Sequence, residues 1–273
     1  MSRERLARSR AFLIDMDGTL YLDERLLPGA RELLHLFDRR GLPYLFVTNN
    51  SSRRAEDYRQ RLARLGIEVP RERILTSGDA TIEYLLRSTP HRSAYLVGTP
   101  GLEADFRAAG VALEDGDPDC VVVGFDTTLT YEKLEIACRH LRAGKPYFAT
   151  HPDKTCITQR GLIPDIAAII AACQAVTGRA PDHILGKPHR EMVDVALRRL
   201  GSTAETTAIV GDQLDTDMTM AELSGLCSIL VLSGETSQHA LDAWPADRRP
   251  DLVASHIGEV LDWLRDDAEI SMR

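Results

Sequence analysis

Residues 11–20 read Ala-Phe-Leu-Ile-Asp-Met-Asp-Gly-Thr-Leu. An unbroken apolar run that stops at two aspartates and a glycine has the pattern of a short strand buried on both faces and closed by a sharp turn. A half-solvated strand would alternate instead. The same pattern returns in Tyr44-Leu-Phe-Val47, Ala94-Tyr-Leu-Val97, Cys120-Val-Val-Val123, Ala208-Ile-Val210 and Ile229-Leu-Val-Leu232. Between these runs the apolar residues take helical spacing, as with Leu33, Leu34 and Phe37 before Gly41, or Met192, Ala196 and Leu200 before Gly201. Regular alternation of this kind requires right-handed crossovers and a parallel sheet with helices on both faces. The expected fold class is α/β, with a Rossmann-like parallel-sheet core.

Two polar stretches interrupt the alternation, Ser88-Thr-Pro-His-Arg-Ser93 and Gly178-Arg-Ala-Pro181. The block between them is a self-contained α/β unit, which predicts a domain inserted into the core. The expected division is core over 1–90, inserted α/β cap over 91–181, and core again over 182–273. Ile184-Leu185 is read as the strand that reopens the core, and Ser51 or Ser52 as the cap of the helix that follows Val47.

The chain has 273 residues, with 33 basic and 41 acidic side chains and a net charge of −8. A negative chain without a basic run argues against nucleic acid as the main partner. No apolar stretch approaches the ~18 residues of a membrane span. The apolar run near the N-terminus is too short for a secretory signal and carries two aspartates. Five scattered cysteines without a CxxC pair read as reduced thiols. Together these predict a cytoplasmic protein that engages neither membrane nor nucleic acid.

Four signals stand at the carboxyl ends of strands, where an open α/β sheet binds its ligands. Asp15 and Asp17 follow the first strand, and carboxylates at i and i+2 can hold a divalent cation and divide nucleophile and acid–base roles. Asp-x-Asp-Gly is also a good turn sequence. Thr48-Asn49-Asn50 follows the second strand; hydroxyl, amide and backbone N–H groups suit a phosphate oxygen, although simple capping uses the same residues. Gly186-Lys187-Pro188 places a compact positive charge on a fixed turn, where an ordinary surface lysine is the plainer reading. Asp212, Asp215 and Asp217 crowd three acids behind a buried strand, an arrangement that a hard cation would stabilise.

In this order, DxDGTL, a strand ending in TN, GKP and GDxxxTD, the set resembles the haloacid dehalogenase-like hydrolases. The insert between TNN and GKP is similar to the C2-capped subgroup. LIDMDGTLY, PGA, VTNNSSR, ATHPDK and VGDQLDTD resemble its NagD and 4-nitrophenylphosphatase branch.

That resemblance implies roles. Asp15 is the nucleophile that becomes an aspartyl-phosphate, and Asp17 is the acid that protonates the leaving alcohol and then the base that activates water. Thr48, Asn49 and Lys187 bind the phosphate. Asp15, the Asp17 carbonyl and Asp212 ligate Mg²⁺, and Asp217 supports the ligands from behind. Asp215 is assigned at most a contact to the substrate loop. The implied activity is a Mg²⁺-dependent phosphatase for a small phosphomonoester, such as a sugar phosphate or nucleoside monophosphate. A phosphotransferase using the same intermediate, or a phospho-accepting regulatory module, is the alternative. The cap contacts the leaving group through His151 and Asp153, with turn-capping as the other reading of His151. Caps of this type can carry a homodimer interface.

Overall fold

The computed structural model describes residues 2–158 and 161–271. The chain forms two compact units, one of Met1–Val47, Arg59–Ile74 and Ala196–Arg273, the other of Thr48–Tyr58 and Leu75–Val195. A six-stranded sheet runs in the order Leu252–Ala254, Cys227–Val231, Thr207–Gly211, Ala11–Ile14, Tyr44–Thr48, Ile74–Thr76. The pairings from Leu252–Ala254 through to Tyr44–Thr48 are parallel. Phe12, Leu13, Ile14, Ile209 and Val210 are fully buried, as continuous apolar strands covered on both faces should be. The register pairs Ile14 with Val210, so the residues that follow the two strands emerge at one end of the sheet.

The second unit has its own five-stranded sheet, ordered His183–Ile184, Tyr147–Ala149, Cys120–Val123, Ser93–Val97, Ala112–Leu113, again parallel. One face packs the helices Tyr131–Arg142 and Ile166–Thr177 through Val121, Val123, Leu141, Ile169 and Cys173. The other packs Ile82, Leu85, Leu102 and Phe106. Here the structure departs from the expected 91–181 insert. His183–Ile184 pairs with Tyr147–Ala149, so the strand read as reopening the core is the edge of the cap's sheet. A two-residue strand is too short to declare its partner, and order along the chain favoured the wrong sheet. The division also leaves Thr48–Tyr58 and Leu75–Val195 together, wider than the polar linkers suggested.

Short elements escaped the sequence reading. These are the helix Ser2–Arg8, the hairpin of Tyr21–Leu22 with Arg25–Leu26, and the hairpin of Thr155–Thr158 with Gly161–Pro164. Among the described residues no helix is long and apolar enough to cross a membrane.

Candidate active site

In the first unit the register brings Asp15 and Asp212 to one end of adjacent strands. The Asp15 N–H donates to the Val210 carbonyl at 2.9 Å, which continues the ladder one residue past the strand. Asp212 follows Thr207–Gly211 directly. Asp217 lies on a single π-helical turn, Leu214–Met218, a distortion that recurs at functional sites. Asp15, Asp212 and Asp217 are 8%, 2% and 0% exposed, and one carboxylate oxygen from each lies within 4.8 Å of the others. An all-oxygen donor set of this charge matches a hard divalent cation.

The backbone has been shaped around Asp212. Its Oδ2 accepts from the Glu235 N–H at 2.7 Å. A Cβ added at Gly234 would stand 1.9 Å from that oxygen, and one added at Gly18 2.3 Å from it. Neither position can carry a side chain while the carboxylate stays. Gly234→Ala is therefore expected to displace Asp212 and raise the metal concentration needed for half-maximal activity by about tenfold, the scale of one lost charge-assisted hydrogen bond. A metal titration of activity checks this. An unchanged curve would show that Asp212 is not a ligand.

Asp17 does not join that group. Its carboxylate is turned to Arg61 and Tyr21, with 59% of its side chain exposed. The i, i+2 spacing suggested two carboxylates pointing alike, whereas the strand ends at Ile14 and the Asp17 side chain turns to Arg61 and Tyr21. Asp217, expected as a supporting acid, stands among the converging carboxylates. Asp215, on the same turn, is exposed.

The second unit gathers the remaining candidates. Thr48 ends the strand Tyr44–Thr48, and its hydroxyl accepts from the Asn50 N–H at 3.3 Å. Asn49 reads the backbone of Lys187 at two points. Its Oδ1 accepts from the Lys187 N–H at 2.7 Å and its Nδ2 donates to the Lys187 carbonyl at 3.0 Å. The other Nδ2 hydrogen goes to Asp153 Oδ1 at 2.9 Å. With both amide hydrogens used, the Asn49 side chain fixes the lysine turn. Lys187 is 3% exposed, far from the solvated lysine of the plainer reading. The turn fits because residue 186 is glycine; a Cβ there would lie 2.6 Å from His151 Cβ and 2.7 Å from Asn49 Oδ1. Asp153 is partly buried, and burial pushes its carboxyl above the usual range, against the lowering pull of His151, Asn49 and Lys187.

His151 is fully buried and bonded at both nitrogens. Nδ1 lies 2.9 Å from Thr150 Oγ1 and 3.3 Å from Ser77 Oγ, and Nε2 lies 3.0 Å from Asp165 Oδ1. The Phe125 N–H donates to Ser51 Oγ at 2.9 Å, and Ser51 Oγ is 2.9 Å from Thr150 Oγ1. The Phe125 N–H, Ser51, Thr150, His151 and Asp165 thus form one continuous buried hydrogen-bonded chain. Asp165 in turn caps the helix Ile166–Thr177. Both ring nitrogens bond side chains, and no ring atom is exposed. Ser51 joins the network instead of capping the helix, which begins at Ala55.

Ser77 and Asp165 were missed because neither lies in a motif. An aspartate before Ile-Ala-Ala-Ile-Ile was legible only as a helix N-cap. Arg61, on a helix read only for its apolar stripe, gave no signal at all.

A family model described as haloacid dehalogenase-like hydrolase matches residues 12–112, and a second model of the same kind matches 184–260. The acid sugar phosphatase of Staphylococcus aureus is 36% identical over 226 residues, covering 82% of this chain and 87% of that protein. The chain belongs to the haloacid dehalogenase-like hydrolases. Among solved structures, the 4-nitrophenylphosphatase of Thermotoga maritima is 44% identical with a TM-score of 0.90, covering 94% of this chain and 97% of that one. NagD from Escherichia coli K-12 is 33% identical with a TM-score of 0.85, covering 92% and 98%. These likenesses place the chain in the NagD-like branch of the haloacid dehalogenase-like hydrolases, among the phosphoric monoester hydrolases. Phosphatases of this family generally use a divalent metal, and the buried carboxylates Asp15, Asp212 and Asp217 are the candidate donors.

Proposed function

We propose that this haloacid dehalogenase-like hydrolase is a Mg²⁺-dependent phosphatase of small phosphorylated metabolites, sugar phosphates among them. The observation that carries the reading is the convergence of three buried carboxylates at the end of adjacent parallel strands. The acid sugar phosphatase relative supports the substrate class.

Asp15 and Asp212, with the Asp17 carbonyl, would hold the cation, and Asp217 lies against the two carboxylates. The ion supplies charge neutralisation, without which a dianionic ester and a carboxylate nucleophile repel each other. Asp15 attacks phosphorus. Its oxygen forms the new P–O bond as the bond to the leaving oxygen breaks, and that oxygen takes the electron pair and a proton from Asp17. Water then attacks the aspartyl-phosphate, gives its proton to Asp17 and releases Asp15. Thr48, the Asn49 N–H and Lys187 would bind the phosphoryl oxygens.

Chelation with EDTA is expected to abolish turnover of 4-nitrophenyl phosphate, and added Mg²⁺ to restore it. Ca²⁺ should bind without restoring activity, because its larger and looser shell spoils in-line attack. Binding is read separately, as a rise in melting temperature with either ion. Full activity in EDTA would end the proposal, as would full activity with Ca²⁺.

A further inference from the structure

Arg61 keeps only 18% of its side chain exposed, and arginine is seldom covered that far unless its charge is met. Its guanidinium lies 4.2 Å from the centroid of the buried Tyr21 ring. Nη2 donates to the Asp23 carbonyl at 2.7 Å, and Nη1 donates to Asp17 Oδ1 at 3.2 Å. The Tyr21 hydroxyl donates to Asp17 Oδ2 at 3.3 Å. Each Asp17 oxygen therefore has its own donor, and both donors are themselves fixed.

An exposed ion pair between two flexible chains contributes little, because ordering the chains offsets the attraction. Here the cation is ordered already. The ring beneath it and the Asp23 carbonyl hold the guanidinium plane whether or not Asp17 is present. Asp23 sits in the tight hairpin of Tyr21–Leu22 with Arg25–Leu26 and takes φ +49°, the only positive φ outside glycine among the described residues. Tyr21 belongs to the same hairpin and also bridges to Asp17 through the backbone. Ring, carbonyl and phenol thus come from one rigid turn.

We propose that Arg61 and Tyr21 are positioning residues that fix the direction of the Asp17 carboxyl, resting on the reading above that Asp17 serves the leaving group. The hairpin and Arg61 act as a two-point clamp. Without it the carboxyl rotates about its side-chain torsions and spends less time where it meets the leaving oxygen. Only substrates that need that proton lose rate.

The test uses the metal-loaded enzyme and a series of phosphate esters running from 4-nitrophenyl through phenyl to alkyl. The readout is the slope of log kcat/KM against the acidity of the leaving alcohol. General acid–base catalysis is worth about 10²–10⁴-fold, so Asp17→Asn should fall by about a hundredfold or more on alkyl esters and much less on 4-nitrophenyl phosphate. Arg61→Met and Tyr21→Phe should steepen the slope in the same sense, by about tenfold on alkyl esters for Arg61→Met. The double variant Asp17→Asn/Arg61→Met should be no worse than Asp17→Asn. A common factor across all esters for Arg61→Met and Tyr21→Phe would overturn the clamp and leave them as support for the hairpin. A common factor for Asp17→Asn would overturn the reading of Asp17 itself, which is a different signature. Tyr21→Phe removes a single hydroxyl, so it decides the question even if Arg61→Met does not fold.

Discussion

Asp15→Asn is expected to lower turnover of every phosphate ester by about four orders of magnitude or more, the scale seen when a covalent nucleophile is removed. The amide keeps the shape of the carboxylate and loses its nucleophilicity. Asp15 directly follows the strand Ala11–Ile14, outside the core that strand builds, and Asn is isosteric with it, so the variant should fold and melt cooperatively. The loss should be the same for 4-nitrophenyl and alkyl esters, because the attacking oxygen is needed whatever leaves. Substantial residual turnover in a sample checked for deamidation back to aspartate would mean that another group attacks phosphorus.

The second large effect is on stability. His151→Leu removes the ring that joins Thr150 to Asp165 and takes one donor from a buried carboxylate, 4% exposed, that keeps the Ile166 N–H. Losing a hydrogen bond to a buried carboxylate costs about 1.5–3 kcal/mol, which should lower the melting temperature by about 5 °C. Catalytic efficiency should fall by one common factor across an ester panel, since the ring is wholly buried and bonds only to Thr150, Ser77 and Asp165 among the described residues. A reordered ranking of substrates at an unchanged melting temperature would return His151 to the leaving-group role.

The parallel sheet was legible because its strands are continuous apolar runs, and each of the acids Asp15 and Asp212 stands directly behind one. What made those residues readable is that strand ends in such a sheet have few places to point. Asp17 shows the limit. Past the end of the strand, it is held by Arg61, forty-four positions away in the chain, and no local pattern encodes that. His183–Ile184 fails for the same reason, since its partner is chosen by tertiary packing over two residues. His151 was half legible: the motif marked it, but which side of a turn a ring occupies depends on Ser51, Ser77 and Asp165, none of which shares its segment. Buried polar networks are written in pieces, and each piece alone reads as a cap.

The way Asn49 grips Lys187 has a further consequence. Both hydrogen bonds go to main-chain atoms, the N–H and the carbonyl, so the grip is indifferent to which side chain residue 187 carries. The path of the turn and the charge mounted on it are specified by different residues: an asparagine at 49 and a glycine at 186 for the path, a lysine at 187 for the charge. Evolution, or an engineer, can revise the second without rewriting the first, and an unbranched neutral side chain at 187 would isolate what that one positive charge does.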